Sequence, residues 1–282
     1  GVPVLGVLPY IADLGIAEED SAALGENAVT RPDAREIAVV ALPHISNFDD
    51  MDPLSLEPGV RVRFVRRPSD LDDPAAVVLP GSKSTLGDLT WLHTSGFSRE
   101  IRRLARKGRA VVGLCGGFQM LGEEVVDDLG VESRGGRVEG LGLLPVRTRM
   151  ERGKTVTRSR GMVTAGQGFW QRLEGTEIEG YEIHMGRSET RSPLLTMTHR
   201  EGAAVSVPDG ACDESGRIFG TYLHGLFEND ALRHAWLRSL DVDPLPQPFA
   251  ARRTAAFDRL ADALEASLDV ALLDRIVEQG IR

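Results

Sequence analysis

The sequence predicts an α/β fold built on a mainly parallel sheet flanked by helices. From Ile37 onward, short apolar runs of strand length alternate with segments whose apolar residues recur at helical spacing, the rhythm of strands joined by crossover helices. One such run, Ala110-Val111-Val112, leads straight into a glycine-rich turn, Gly113-Leu114-Cys115-Gly116-Gly117-Phe118-Gln119. Phe118, Leu121, Gly122 and Val125 then keep helical spacing, so the turn joins a buried strand to a helix.

Taken in order, residues 1–10 read as a short buried strand, residues 17–24 as an acidic helix and residues 25–33 as a polar linker. A strand with no preceding partner suggests the tail of another domain. Residues 37–42, 60–65, 75–79 and 110–114 are strand candidates, with helices around 86–91 and 97–107. After the Cys115 helix the pattern turns to strands (141–148, 181–185, 194–198, 203–207 and 217–223), which predicts a mixed sheet or an antiparallel extension. Asn229 or Asp230 caps a helix through Leu232, Trp236, Leu237 and Leu240. Pro244-Leu245-Pro246-Gln247-Pro248 breaks the chain, and one last helix carries Phe257, Leu260, Leu264, Leu268, Leu272 and Ile276 on an apolar face, expected to pack against the domain's own sheet. The expected organisation is therefore a tail and linker over 1–33, an α/β domain over 34–241 and a helical extension over 242–282.

Composition narrows the function classes. The net charge is −9 and the pI about 5.3, and the one arginine-rich segment, residues 99–109, has the spacing of a solvated helix face, so no nucleic-acid partner is expected. No apolar run approaches the roughly 20 residues that span a bilayer, and no signal-like N-terminus is present, so neither a membrane nor export is expected and the compartment reads as cytoplasmic. Cys115 and Cys212 are the only cysteines, without disulfide-framework or zinc spacing, and six histidines lack an HExxH or HxxxH pattern; no protein-bound metal is expected.

The strand-to-helix turn makes Cys115 a candidate nucleophile. Its glycine neighbours allow close approach, and the helix N-terminus behind it favours a thiolate. A cysteine nucleophile needs a base. His224, in Gly220-Thr221-Tyr222-Leu223-His224-Gly225, ends a strand candidate at the same sheet edge as Cys115; His184 alternates with apolar neighbours and reads as structural or substrate-lining. An acyl-transfer site also needs oxyanion donors, and the loop Pro80-Gly81-Ser82-Lys83-Ser84 follows a buried strand directly. It lacks the first glycine of a phosphate-binding GxxxxGK[ST] loop, so its reading is an oxyanion loop in which Gly81 or Ser82 pairs with the Gly116 N–H.

In this order, PGS, GLCGGFQMLG, YEIHMGR and GTYLHGLF resemble the class I glutamine amidotransferase domains of the cobyric acid synthase and cobyrinic acid diamide synthase group. Leu42-Pro43-His44-Ile45-Ser46-Asn47-Phe48-Asp49-Asp50 is similar to a segment of the cobyric acid synthase branch. The resemblance implies a flavodoxin-like amidotransferase fold and glutamine as substrate, with Cys115 attacking its side-chain amide and His224 moving protons. Gly81, Ser82, Gly116, Gln119 and Arg187 become the substrate-side residues, Arg187 gripping the α-carboxylate. It also implies that ammonia passes to an ATP- and Mg-dependent synthetase domain, of which residues 1–33 are the tail and linker, for amidation of carboxylates on the corrinoid adenosylcobyrinic acid a,c-diamide. No GxxxxGK[ST] nucleotide loop occurs in this chain, so the ATP-dependent half is expected elsewhere. Many class I amidotransferases carry a glutamate two residues after the histidine; here that position is Leu226, and Glu228 and Asp50 are the candidates to orient His224. The competing readings are the sister diamide synthase, a catalytically silent docking module and a peptidase of the same fold.

Overall fold

A computed structural model describes residues 2–11, 14, 16, 33–132, 135–191 and 193–280. The chain divides into two units: residues 20–245 form one, and the N-terminal stretch to Glu19 groups with Pro246–Arg282 in the other.

The larger unit is organised by a six-stranded sheet. Five of its strands are parallel: Arg35–Val40, Val60–Val65, Ala76–Leu79, Ala110–Leu114 and Ile218–Thr221. Numbered along the chain they lie side by side as 2-1-3-4-5, the flavodoxin-like order, and the short Ala211–Cys212 strand adds an antiparallel edge. The central strands are covered on both faces, which is why residues 37–40, 76–79 and 110–112 read as unbroken apolar runs, whereas the edge strand Val60–Val65 carries Arg61 and Arg63. Ile37, Val39, Val78, Val112 and Leu114 face one hydrophobic cluster, with Trp170, Phe219, Phe227 and Trp236. Ala38, Val40, Val77, Leu79 and Val111 face the other, against Leu89, Leu92, Phe97, Ile101 and Leu104 of the helices Thr85–Ser95 and Phe97–Arg106. At about 1.5–3 kcal/mol for each fully buried aliphatic or aromatic side chain, these two layers dominate the stability of the unit. Gly96, at φ +92°, ends the first of those helices and turns the chain into the second, a conformation that side-chain-bearing residues rarely adopt.

A second sheet of seven strands is mainly antiparallel and is built around two long strands, Val146–Val163 and Glu177–Thr190. The predicted strand at 141–148 starts later, at Val146, and runs far longer, because its pairing partner carries it through a polar stretch that has little apolar alternation. The predicted 217–223 strand is split at Tyr222: Ile218–Thr221 stays in the central sheet, and Leu223–His224 pairs with Glu177–Thr190 in the second. This crossing between sheets places His224 at their junction. The helix expected after residue 229 is Asp230–Ser239, anchored by Arg233, whose Nε donates to Glu57 at 3.1 Å with both side chains fully buried.

In the smaller unit two expectations are corrected. Residues 2–10 form no strand: Gly6 makes an isolated bridge to Leu268, and Val2, Val4, Val7 and Tyr10 are exposed. The single C-terminal helix is two, Phe249–Ser267 and Val270–Gln279, because Asp269 caps a new helix by accepting from the Leu272 N–H at 2.8 Å. Phe257 is exposed, whereas Leu260, Leu264, Leu268, Leu272 and Ile276 are half-buried. The expected acidic helix at 17–24 and nearly all of the 25–33 linker lie outside the described residues. Among the described residues, no helix is long and apolar enough to cross a membrane.

Candidate active site

Four loops at the carboxyl ends of the parallel strands converge on Cys115. It follows the Ala110–Leu114 strand and caps the helix Gly116–Leu121 with φ +52° and ψ −109°, a backbone conformation that a non-glycine residue holds only when its surroundings enforce it. The enforcement is visible. The Cys115 N–H donates to Thr221 O at 2.9 Å, and Gly117 packs so tightly that a Cβ there would stand 1.9 Å from Leu79 O. Cys115 is 6% exposed, and Sγ approaches Ile183 O at 3.4 Å.

His224 is fully buried beside it. Its Nδ1 is 2.7 Å from Asp50 Oδ2, while Asp50 Oδ1 accepts from the Gly225 N–H, also at 2.7 Å. Asp50 thus binds the ring and the backbone that follows it, whereas Glu228 is exposed. The acid was legible only as one of two candidates, and the geometry puts Asp50 on the ring. Tyr181 stacks on His224 with ring centroids 5.0 Å apart, and its hydroxyl accepts from Asn47 Nδ2 at 2.8 Å. Asn47 takes a left-handed conformation, φ +51°, immediately before the turn Phe48–Met51 that presents Asp50. Among the described residues the His224 Nε2 has no hydrogen-bond partner, and it is left to face Cys115. Burial alone would push the imidazole pKa down, but the Asp50 charge and hydrogen bond, with the Cys115 contact, lift it to about 10. The ring is therefore an imidazolium at neutral pH, the partner a thiolate needs.

Gly81–Ser82 pairs in an antiparallel ladder with Ile45–Ser46. The Lys83 N–H bonds His44 O at 2.9 Å, so by the alternation of such ladders the Gly81 N–H faces Ser46 and the Ser82 N–H turns outward. A Cβ built on Gly116 would stand 3.0 Å from Ser82 N, and one on Gly81 3.2 Å from the His224 ring. Gly116 opens its helix, so its own N–H lacks an intrahelical acceptor. Gly81, Ser82, Gly116, Cys115 and His224 are thus gathered within one cleft.

Gln119 and Arg187 lie differently. The Gln119 amide is buried and engaged: its NH2 donates to Tyr222 OH at 2.9 Å and Met185 O at 3.0 Å, and its oxygen accepts from Thr85 at 3.1 Å. It braces the floor behind Cys115. Arg187 is exposed, opposite Arg149 in the strand register, and makes no hydrogen bond or ion pair among the described residues. His184 is stacked on Tyr222 at 3.8 Å, with Nδ1 near Gly186 O and Nε2 near Glu182, which makes it a packed histidine. Tyr181 and Asn47 escaped the sequence reading, although both sit inside its motifs; only the fold shows that they meet over His224.

A CobB/CobQ-like glutamine amidotransferase domain matches residues 36–232. Among similar proteins, the cobyric acid synthase of Chloroflexus aurantiacus is 44% identical, covering 99% of this chain and 56% of its own length. That of Sorangium cellulosum is 46% identical, covering 98% and 57%. The chain thus spans just over half the length of these relatives. Among solved structures, PurLQS from Thermotoga maritima aligns with a TM-score of 0.57 at 20% identity, covering 73% of this chain and 99% of its own, a likeness of fold. The chain belongs to the CobB/CobQ-like glutamine amidotransferase domain family.

Proposed function

We propose that this chain is the glutamine-hydrolysing part of a cobyric acid synthase. The observation that carries the reading is the convergence of Cys115, His224 and Asp50 beside the Ser82 and Gly116 amides. The Cys115 thiolate attacks the side-chain amide carbon of glutamine, and the carbonyl oxygen becomes an oxyanion between the two N–H donors. The His224 imidazolium gives its proton to the departing nitrogen, ammonia leaves, and a γ-glutamyl thioester remains on Sγ. His224, now neutral, takes a proton from water; the resulting hydroxide attacks the thioester, and glutamate leaves as the thiolate returns. Asp50 keeps the ring in one orientation and stabilises its cationic form. Arg187 is suited to the α-carboxylate of glutamine, being an exposed guanidinium with no competing partner among the described residues.

The ammonia serves an ATP- and Mg-dependent synthetase domain, a reading supported by relatives whose length exceeds this chain. There it would amidate carboxylates of adenosylcobyrinic acid a,c-diamide. The test is ammonia release from glutamine by the chain alone and with an ATP-dependent synthetase domain added. Cys115→Ala and His224→Ala are each expected to lower kcat by at least about 10³-fold. No release in either setting sinks the glutaminase reading, and release surviving Cys115→Ala removes Cys115 as nucleophile.

A further inference from the structure

The donor loop is gripped from behind by a carboxylate that the chemistry above does not use. Asp88, on the helix Thr85–Ser95, has a fully buried side chain. Its Oδ2 accepts from Ser82 Oγ at 2.6 Å and from the His44 N–H at 3.3 Å, and its Oδ1 lies 2.8 Å from His44 Nδ1. Ser82 Oγ in turn accepts from the Ser84 N–H at 3.0 Å, and the Lys83 N–H is held by His44 O. Every residue from Ser82 to Ser84 is therefore tied, directly or through one atom, to Asp88 or His44.

An early-turn aspartate has an ordinary explanation: its charge suits the positive end of its helix. That explanation does not require the carboxylate to reach Ser82 and both the ring and the backbone of His44. A buried carboxylate is tolerated only where donors converge on it, and here the donors come from the two loops that frame the cleft. We propose that Asp88 is a positioning residue for the amidotransferase reaction: through Ser82 Oγ and His44 it fixes the Ser82 N–H where the oxyanion forms. The segment between Leu42 and Asp50 then serves both halves of the chemistry, since His44 braces the donor loop and Asp50 braces the base.

The inference rests on the glutaminase reading, so its test has an arm independent of turnover. Asp88→Ala, Ser82→Ala and Ser82→Thr are compared with the parent chain in three measurements: amide hydrogen exchange of residues 81–84, glutamine hydrolysis, and alkylation of Cys115 by iodoacetamide. Ser82→Ala breaks the same bond from its less buried side and covers the case in which Asp88→Ala folds poorly. In both alanine variants, exchange in the loop rises and kcat falls about 10- to 100-fold, somewhat less than the loss of a whole oxyanion donor, with KM within about threefold. Alkylation stays within about twofold of the parent, because displacement at the iodoacetamide carbon forms no oxyanion. Ser82→Thr, which keeps the hydroxyl, restores kcat. Unchanged loop exchange overturns the inference, as does unchanged kcat, or alkylation falling in step with kcat. A parent chain that releases no ammonia in any setting sinks the functional reading instead, and the exchange arm alone then decides whether Asp88 holds the loop.

Discussion

Two histidines of this domain, one fully buried and one partly, each face a carboxylate and each stack on a tyrosine, yet only one is built to move protons. His224 sits 2.7 Å from Asp50 under the Tyr181 ring, and His184 sits 3.4 Å from Glu182 under the Tyr222 ring. The difference lies in what each pair leaves unsatisfied. Both nitrogens of His184 face acceptors of the fold, Gly186 O and Glu182. Glu182 is itself taken up by Ser159 and by the guanidinium of Arg200, whose Nη2 lies 2.6 Å away. That cluster is electrostatically closed. Among the described residues Asp50 has no arginine on it, so its charge acts on His224, and His224 keeps an Nε2 aimed at Cys115. A catalytic pair is recognised here by the bond it does not make.

The most severe way to break this comparison short of removing the base is Asp50→Asn. Loss of the carboxylate removes the charge that outweighs burial, so the His224 pKa falls from about 10. A kcat loss on the order of 10²- to 10⁴-fold follows, with the alkaline limb of the kcat–pH profile moving to lower pH. The stability effect has a fixed sign. A histidine pKa raised above 6.5 contributes stability fully present below pH 6.5 and lost as pH rises through about 10. Urea midpoints of Asp50→Asn and the parent therefore differ most below pH 6.5, draw together as pH rises and converge above pH 10. An alkaline limb that stays in place would show that another group holds the ring charged.

How much of this was legible follows from where each interaction lives in the sequence. The central parallel strands were readable because burial on both faces turns them into local apolar runs, as in Ala110-Val111-Val112. Cys115 and the donor loop were readable because tight backbone contacts demand glycine, and glycine leaves a local trace. The long Val146–Val163 strand was not, since Arg147, Arg149, Arg152, Lys154 and Arg158 are all exposed and its order comes from pairing with Glu177–Thr190. Asp50 could be named only as a candidate because it lies 174 residues from His224, a separation that no periodicity spans. Asp88 left still less trace: an aspartate in a helix's first turn has an ordinary local explanation that hides its reach to the loop.

Glu182→Gln breaks the closed member of the comparison. It strips the buried partner from Arg200 and His184, and a loss of about 2–4 kcal/mol in unfolding free energy is expected at pH 7. Burial alone would raise the Glu182 pKa, but the bonds from His184, Ser159 and Arg200 bring it down to about 2. A depressed carboxylate pKa contributes stability present above about pH 4.5 and lost as pH falls through about 2, so the parent and variant urea midpoints approach each other in acid. A midpoint difference that is as large at pH 2 as at pH 7 would mean that the variant acts through packing rather than charge.

The smallest effect sharpens the comparison most. His184→Gln keeps a polar side chain able to bond Glu182 or Gly186 O while removing the imidazole and its stacking on Tyr222. Because both His184 nitrogens point into the fold and neither at Cys115, kcat should change by less than about threefold, and the unfolding free energy by about 1 kcal/mol. The alkaline limb set by His224 should not move, since no proton of the reaction passes through His184. The decisive measurement is the full kcat–pH profile rather than activity at one pH, because a slightly loosened site lowers the whole curve without displacing it. A hundredfold loss together with a displaced limb would reverse the assignment, making His184 the proton carrier and His224 the packed histidine.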